Sequence, residues 1–175
     1  MDSASIIMIV VLIFLVAMSS YFSATETAFS SLNRVRLKSK ADAGNRRAAL
    51  ALELEEDFDR LLSTILIGNN IVNITATTIG TVLFTHLFQE YGPTVSTVVL
   101  TVVILIFGEI SPKSLAKESP EAFAMFSAPL LKFFLAVLRP LNFLFTLWKK
   151  LLSLVFHKSE DEGITEEELI TMVDQ

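Results

Sequence analysis

Three long apolar runs separated by polar stretches organise the chain. Ser5 to about Ala28 opens with thirteen apolar residues, Ile6 to Met18, and turns polar only in its second half. Leu61 to Phe88 and Thr94 to about Ala116 are the other two. Each holds the roughly 20 residues a helix needs to cross a hydrocarbon core about 30 Å thick. The pattern predicts three membrane-spanning helices at about 5–28, 61–88 and 94–116.

The region from Glu121 to Phe156 is also apolar but differently built. Pro129 and Pro140 divide it, Lys132 and Arg139 interrupt it, and the piece between the prolines is too short to span. It holds Phe123, Phe126, Phe133, Phe134, Phe143, Phe145 and Phe156, and Trp148-Lys149-Lys150 closes its apolar part. Aromatic rings at headgroup level with snorkelling lysines suit the bilayer interface, so residues 121–156 read as an interfacial belt of broken amphipathic helices. A fourth, kinked crossing is the alternative. Between the first two runs lies a charged segment, Arg34 to Arg60, in which Ala49–Leu62 can form an amphipathic helix. It reads as a helical hairpin outside the membrane. From His157 the chain turns acidic, and Thr165 with Glu166–Glu168 forms a capping box for a short helix. Residues 157–175 therefore read as an acidic linker, and a chain ending about one turn into a new helix looks truncated ahead of a further domain.

Composition narrows the class. Hydrophobic residues make up 52% and charged residues 19%, against about 25% charged in soluble domains, which excludes a disordered chain and argues against a soluble enzyme. A net charge of -5 gives no reason to expect a nucleic-acid partner, and the absence of cysteine removes disulfides, thiolate zinc and redox thiols. His86 and His157 are too far apart in sequence to suggest a histidine cluster. Charge also orients the chain. Arg34, Arg36, Lys38, Lys40, Arg46, Arg47 and Arg60 lie between the first two spans, and the remaining basic residues, Lys113 to Lys158, follow the third. Three crossings put all 14 on one side, the cytoplasm, with the N-terminus outside and the C-terminus inside. No basic residue precedes the first apolar run, so it is not read as a cleavable leader.

Polar groups inside hydrocarbon need partners and mark functional positions. Ser19 and Ser23 lie four apart on the first span, with Glu26 a turn further on; the plain alternative for a membrane serine is a bond to its own helix or close packing. Asn69 and Asn73 are four apart on the second span, while Asn70 points about 100° away from Asn69. Interhelical glue is the alternative there. The third span carries Gly108-Glu109-Ile110-Ser111-Pro112-Lys113. Proline has no N–H, so in an α-helix the carbonyl four residues earlier, that of Gly108, loses its bond beside the one carboxylate in the second and third spans. A protonated Glu109 bonded to an asparagine is the alternative. Hydroxyl, amide, carboxylate and backbone oxygens are hard donors, favouring magnesium, calcium or sodium over zinc or copper.

With Ser19-Ser20-Tyr21-Phe22-Ser23-Ala24-Thr25-Glu26 and Gly68-Asn69-Asn70-Ile71-Val72-Asn73, that motif resembles the transmembrane domain of the CorC/cyclin M (CNNM) family of magnesium transporters. Ile164 to Leu169 resembles the entry to the family's CBS pair. The resemblance implies an all-α integral membrane protein, not an enzyme, with three spans per subunit in a homodimer among membrane lipid. It implies a juxtamembrane belt, magnesium export coupled to sodium, and ATP-magnesium sensing by the CBS pair. On the motif match, Ser23, Asn69 and Glu109 map to the metal site together with the Gly108 carbonyl, and Ser19 and Asn73 join them. Pro112 is the kink. Ala24 stands where the family often has glycine, and Glu26 is not shared by all branches. A bacterial inner membrane is the expected location.

Two rival functions differ in class. A sensor would bind magnesium and report it without translocating it. An intramembrane hydrolase built on Ser23 and Glu109 would need a base paired with the serine and a GxSxG-type elbow, which the spans do not supply.

Overall fold

A computed structural model describes residues 3–156, so the capping box at Thr165 lies outside the described residues. The described chain is helical almost throughout. In order it forms α1 (Ser3–Ser31), α2 (Arg34–Asp42), α3 (Arg46–Glu55) and α4 (Phe58–Phe88), then a 3₁₀ turn (Gln89–Tyr91) and α5 (Gly92–Val103). A π-helical segment (Ile104–Ile110) leads into α6 (Ser111–Glu118), followed by α7 (Pro120–Val137) and α8 (Arg139–Phe156).

Local chemistry sets these boundaries. Asn33 ends α1's run and caps α2 by accepting the Arg36 N–H at 3.1 Å. Gly44 takes φ +93°, a left-handed conformation that suits glycine, and Asn45 then caps α3 by accepting from Arg47 and Ala48 at 3.0 and 3.1 Å. The helical hairpin read from the charged segment is thus present as α2 and α3. The amphipathic helix expected over 49–62 is instead interrupted: α3 stops at Glu55, and Asp57 caps α4 by accepting the Arg60 N–H at 3.4 Å. An aspartate ahead of a long apolar run is a stronger local start signal than a continuing helical stripe.

The apolar runs become three crossings, α1, α4, and the continuous α5–π–α6 rod. Mean hydropathy reaches 2.5 in Ser3–Ser31 and 2.1 in Phe58–Glu118, and the latter folds back on itself at Gln89–Tyr91. Side chains such as Ile6, Ile7, Val10, Ile13 and Phe14 face outward, as a lipid-facing surface requires. Many buried positions are small. Ala24 and Ala28 of α1 meet Ala116 of α6 and Ala124 and Ala128 of α7 in one core, with Phe22 and Leu131. Without a hydrophobic drive between helices in lipid, close approach of small residues supplies the packing. The second half of α1 is the hub, buried almost continuously from Phe22 to Phe29.

α7 corrects one expectation. Pro129 does not break it: the helix runs unbroken from Pro120 to Val137, and the interruption falls at Leu138. One missing N–H removes one bond and can be accommodated, whereas Pro120 and Pro140 sit in the first turns of α7 and α8 where no bond is lost. α7 has a mean hydropathy of 1.4 and the length of a crossing, yet both its charged side chains, Glu121 and Lys132, are engaged by the hairpin and its entry. Glu121 accepts the Asn33 N–H at 3.0 Å, and Lys132 pairs with Glu53 of α3 at 3.6 Å. Those two anchors, eleven residues apart, hold α7 along the hairpin. α8 forms a compact unit of its own, with Phe143, Leu144, Phe145, Leu147 and Trp148 all exposed.

The turn between α4 and α5 is tight. Gln89 adopts φ 51°, and a Cβ on Gly92 would lie 2.3 Å from the Thr85 Cα. Backbone cannot yield as a side-chain tip can, so Gly92→Ala is expected to destabilise the hairpin by about 1–3 kcal/mol. A lowered unfolding temperature in detergent, with Gly44→Ala as a second variant strained only by its φ, checks this.

Candidate functional site

Each motif residue is placed by the helix that carries it. Ser19 and Ser23 lie on the buried face of α1, one turn apart. Asn69 and Asn73 lie one turn apart on α4, and Gly108 and Glu109 lie in the π-helical segment. The Ser19 hydroxyl donates to Asn69 Oδ1 at 3.1 Å. The Asn69 amide reaches Glu109 Oε1 at 3.5 Å, and the Asn73 amide reaches Asn69 Oδ1 at 3.5 Å. Contacts of 3.5 Å are longer than a good hydrogen bond. These side chains are gathered around one place without being locked to one another.

Two oxygens on α1 and α4 are buried with no hydrogen-bond partner: Asn73 Oδ1 within this network, and Ser23 Oγ one turn beyond Ser19 and without a hydrogen bond to the network. Ser23 is fully buried. Such groups are costly in a native interior, more so where no water reaches, and they mark places built for something else. Among the described residues no three His, Cys, Asp or Glu side chains cluster to hold a metal. A ligand at this place would therefore meet one carboxylate and neutral oxygens.

Glycines make the approach possible. A Cβ on Gly108 would lie 2.9 Å from Ser19 Oγ, so the absent side chain lets α1 and the third span close upon each other. Gly68, just before the asparagines, faces the Phe22 ring, whose nearest atom would be 2.4 Å from an added Cβ. Asn70, as its spacing predicts, is turned away: it is exposed and its amide donates to the Leu66 carbonyl at 2.8 Å.

The Pro112 kink takes an unexpected form. Residues 104–110 are π-helical, and the Ser111 N–H bonds to the Ile106 carbonyl, five residues back. Carried one residue further, that register makes Phe107, not Gly108, the carbonyl that Pro112 cannot serve. The Ser20 hydroxyl donates to the Phe107 carbonyl. Ser20 was not singled out from the sequence; the available signal was a hydroxyl adjoining Ser19 opposite a membrane proline. Glu26, set aside on motif grounds, pairs with Lys113 at 3.2 Å, one turn beyond Ser23 and one turn beyond Glu109. Both partners are partly exposed, so the pair contributes about 1 kcal/mol or less.

Helices long and apolar enough to cross a bilayer, packed around a seam of polar side chains, define a multi-pass membrane domain. The chain belongs to the CNNM family: the family model of the cyclin M transmembrane N-terminal domain matches residues 10–175. It is 38% identical to a "UPF0053 protein" of Haemophilus influenzae, over 95% of this chain and 40% of that protein. It is 38% identical to the "UPF0053 inner membrane protein YfjD" of Escherichia coli, over 89% of this chain and 37% of that one. A "Polyamine export protein" of Salmonella typhimurium is 28% identical over 75% of this chain and 32% of its own length. The chain spans about two-fifths of the length of the first two relatives. Membership places it among transport modules, not enzymes.

Because Gly108 touches Ser19, Gly108→Ala is expected to lower the unfolding temperature, and adding Ser19→Ala should recover part of the loss. Thermal unfolding of the two single variants and the double variant reads this out as a non-additive cycle.

Proposed function

We propose that this chain is the membrane domain of a magnesium transporter that exports the cation, with inward sodium flow as the driving reaction. The cation binds between α1, α4 and the π-helical segment. Glu109 supplies the charge; Ser23, Asn69 and Asn73 supply neutral oxygens; Ser19 adds a hydroxyl, and Gly108, whose carbonyl the π register does not free, serves by letting α1 close on the bend at Pro112. The observation that carries this reading is the pair of buried, unpartnered oxygens, Ser23 Oγ and Asn73 Oδ1, on the two helices that bring Ser19 and Asn69 into contact. Hard oxygen donors with one carboxylate suit a hard cation bound with modest affinity. Magnesium dehydrates reluctantly, so it keeps part of its water here.

The basic end of the domain, where α2, α3 and the start of α7 gather, faces the cytoplasm by the positive-inside rule, with the N-terminus outside. Two copies form the working unit in a bacterial inner membrane. α7 and α8 serve as the belt at the membrane surface, and a CBS pair beyond residue 175 senses ATP-magnesium.

Family relatives named as polyamine exporters supply a second candidate cargo. A polyamine carries several separated cations and calls for several carboxylates, whereas Glu109 is the one acid in the network of Ser19, Asn69 and Asn73. Magnesium is the better fit.

Glu109→Ala and Asn69→Ala are expected to abolish magnesium-dependent thermal stabilisation while the domain stays folded, since a ligand of the native state stabilises only while it binds. Retention of the magnesium shift in both variants overturns the site. Flux in proteoliposomes separates transporter from sensor: a sensor binds magnesium without passing it, and spermidine flux without magnesium flux would favour the other cargo.

A further inference from the structure

We propose that Ser20 is a positioning residue that selects the π-helical register of residues 104–110, and through it the placement of Glu109. Ser20 does not touch the ion. The argument begins with Pro112, which leaves one carbonyl of the third span without an N–H partner whichever register the helix adopts. In an α register that carbonyl belongs to Gly108; in the observed π register it belongs to Phe107. Lipid cannot serve it, and the partner the structure supplies is a side chain.

The two registers are not equivalent, because α1 offers two adjacent hydroxyls. Ser19 Oγ packs against Gly108, but its single proton is already given to Asn69 Oδ1. Serving a Gly108 carbonyl would take that proton from the asparagine. Ser20, one residue on, reaches the Phe107 carbonyl instead. The π register therefore gives the Phe107 carbonyl a donor while Ser19 keeps its contact with Asn69.

The register matters for the site because it fixes which way Glu109 points. Removing the extra residue of a π turn rotates one part of the helix relative to the other by about 100° and shifts it by about 1.5 Å. Such a rotation takes the Glu109 carboxylate off the face on which Asn69 lies. A pocket of about 320 Å³, lined by Ser20, Thr25, Phe107, Ser111, Pro112 and Ser127 among others, adjoins the segment on that side. The hydrogen bond from Ser20 lies at the edge of this space and ties the segment to α1.

The binding arm of this inference rests on the proposed magnesium site, whereas the exchange arm does not. In the full chain, Ser20→Ala is expected to speed amide hydrogen exchange across residues 104–111 without magnesium present, and to weaken magnesium binding about three- to tenfold, the range for loss of one such bond. Ser20→Thr keeps the hydroxyl and should restore both. Pro112→Ala returns an N–H to the helix, so adding Ser20→Ala to it should cost nothing further. Unchanged exchange in Ser20→Ala, whatever happens to magnesium affinity, overturns the inference, and so do additive effects in the double variant. Should Ser20→Ala prove unstable, the comparison of Pro112→Ala with the double variant decides the matter. If Glu109→Gln leaves magnesium binding intact, the proposed ion site fails while the exchange result still stands.

Discussion

A proline inside a membrane helix takes away a backbone donor where no solvent can replace it, and that constraint organises the third span. The chain around Pro112 answers it with a seven-residue π-helical segment and a hydroxyl from the neighbouring helix. The polar contacts between α1, α4 and the third span lie beside this bend. With Ser20 engaged by the Phe107 carbonyl, Ser19 is aimed at Asn69, and Ser23 is left buried with its oxygen unused. Gly108 and Gly68 remove the side chains that would hold the helices apart. Backbone accounting, small residues and the polar seam are three views of one packing solution.

Much of this was legible in the chain. Apolar run length gave the three crossings to within a few residues, because hydrocarbon thickness sets a length that sequence can meet only one way. The hairpin was read from the charge of Arg34 to Arg60 and an amphipathic stripe, whereas its boundaries follow from caps at Asn33, Asn45 and Asp57 that act over three or four residues. The four-residue spacing of Ser19 with Ser23 and of Asn69 with Asn73 placed each pair on one face. The structure brings Ser19, Asn69, Asn73 and Glu109 into contact. The π register was not legible. It changes hydrogen-bond partners without changing composition, and Pro112 alone is compatible with either register. The role of Ser20 went unseen for the same reason, since it depends on a carbonyl 87 residues away. Continuity through Pro129 also lay beyond sequence, because a proline's effect depends on whether neighbouring helices hold the flanking turns.

Around the polar seam the domain is held by aromatic and small residues. Tyr21 donates to the Ser127 carbonyl at 2.8 Å, and the Phe22 and Phe134 rings sit 5.0 Å apart, tying α7 to the same turns of α1 that carry the serines. The Thr25 hydroxyl returns to the Tyr21 carbonyl at 2.7 Å, so this stretch of α1 satisfies its own hydroxyls where they are not directed elsewhere. The hairpin of α2 and α3 reaches the same core through Leu37, Ala48 and Ala51, all fully buried. The extramembrane helices and the seam are parts of one packed body.

The three-residue link at Gln89–Tyr91 has a mechanical consequence. Its chain is too short to stretch, and Gly92 is pressed onto the Thr85 backbone. α4 and the rod that follows are therefore joined like the arms of a tuning fork, with the amide of Asn69 on one tine and the carboxylate of Glu109 on the other. Axial slippage between those tines is blocked at their root, whereas α1 is joined to them in sequence only through the longer hairpin and keeps its place by packing.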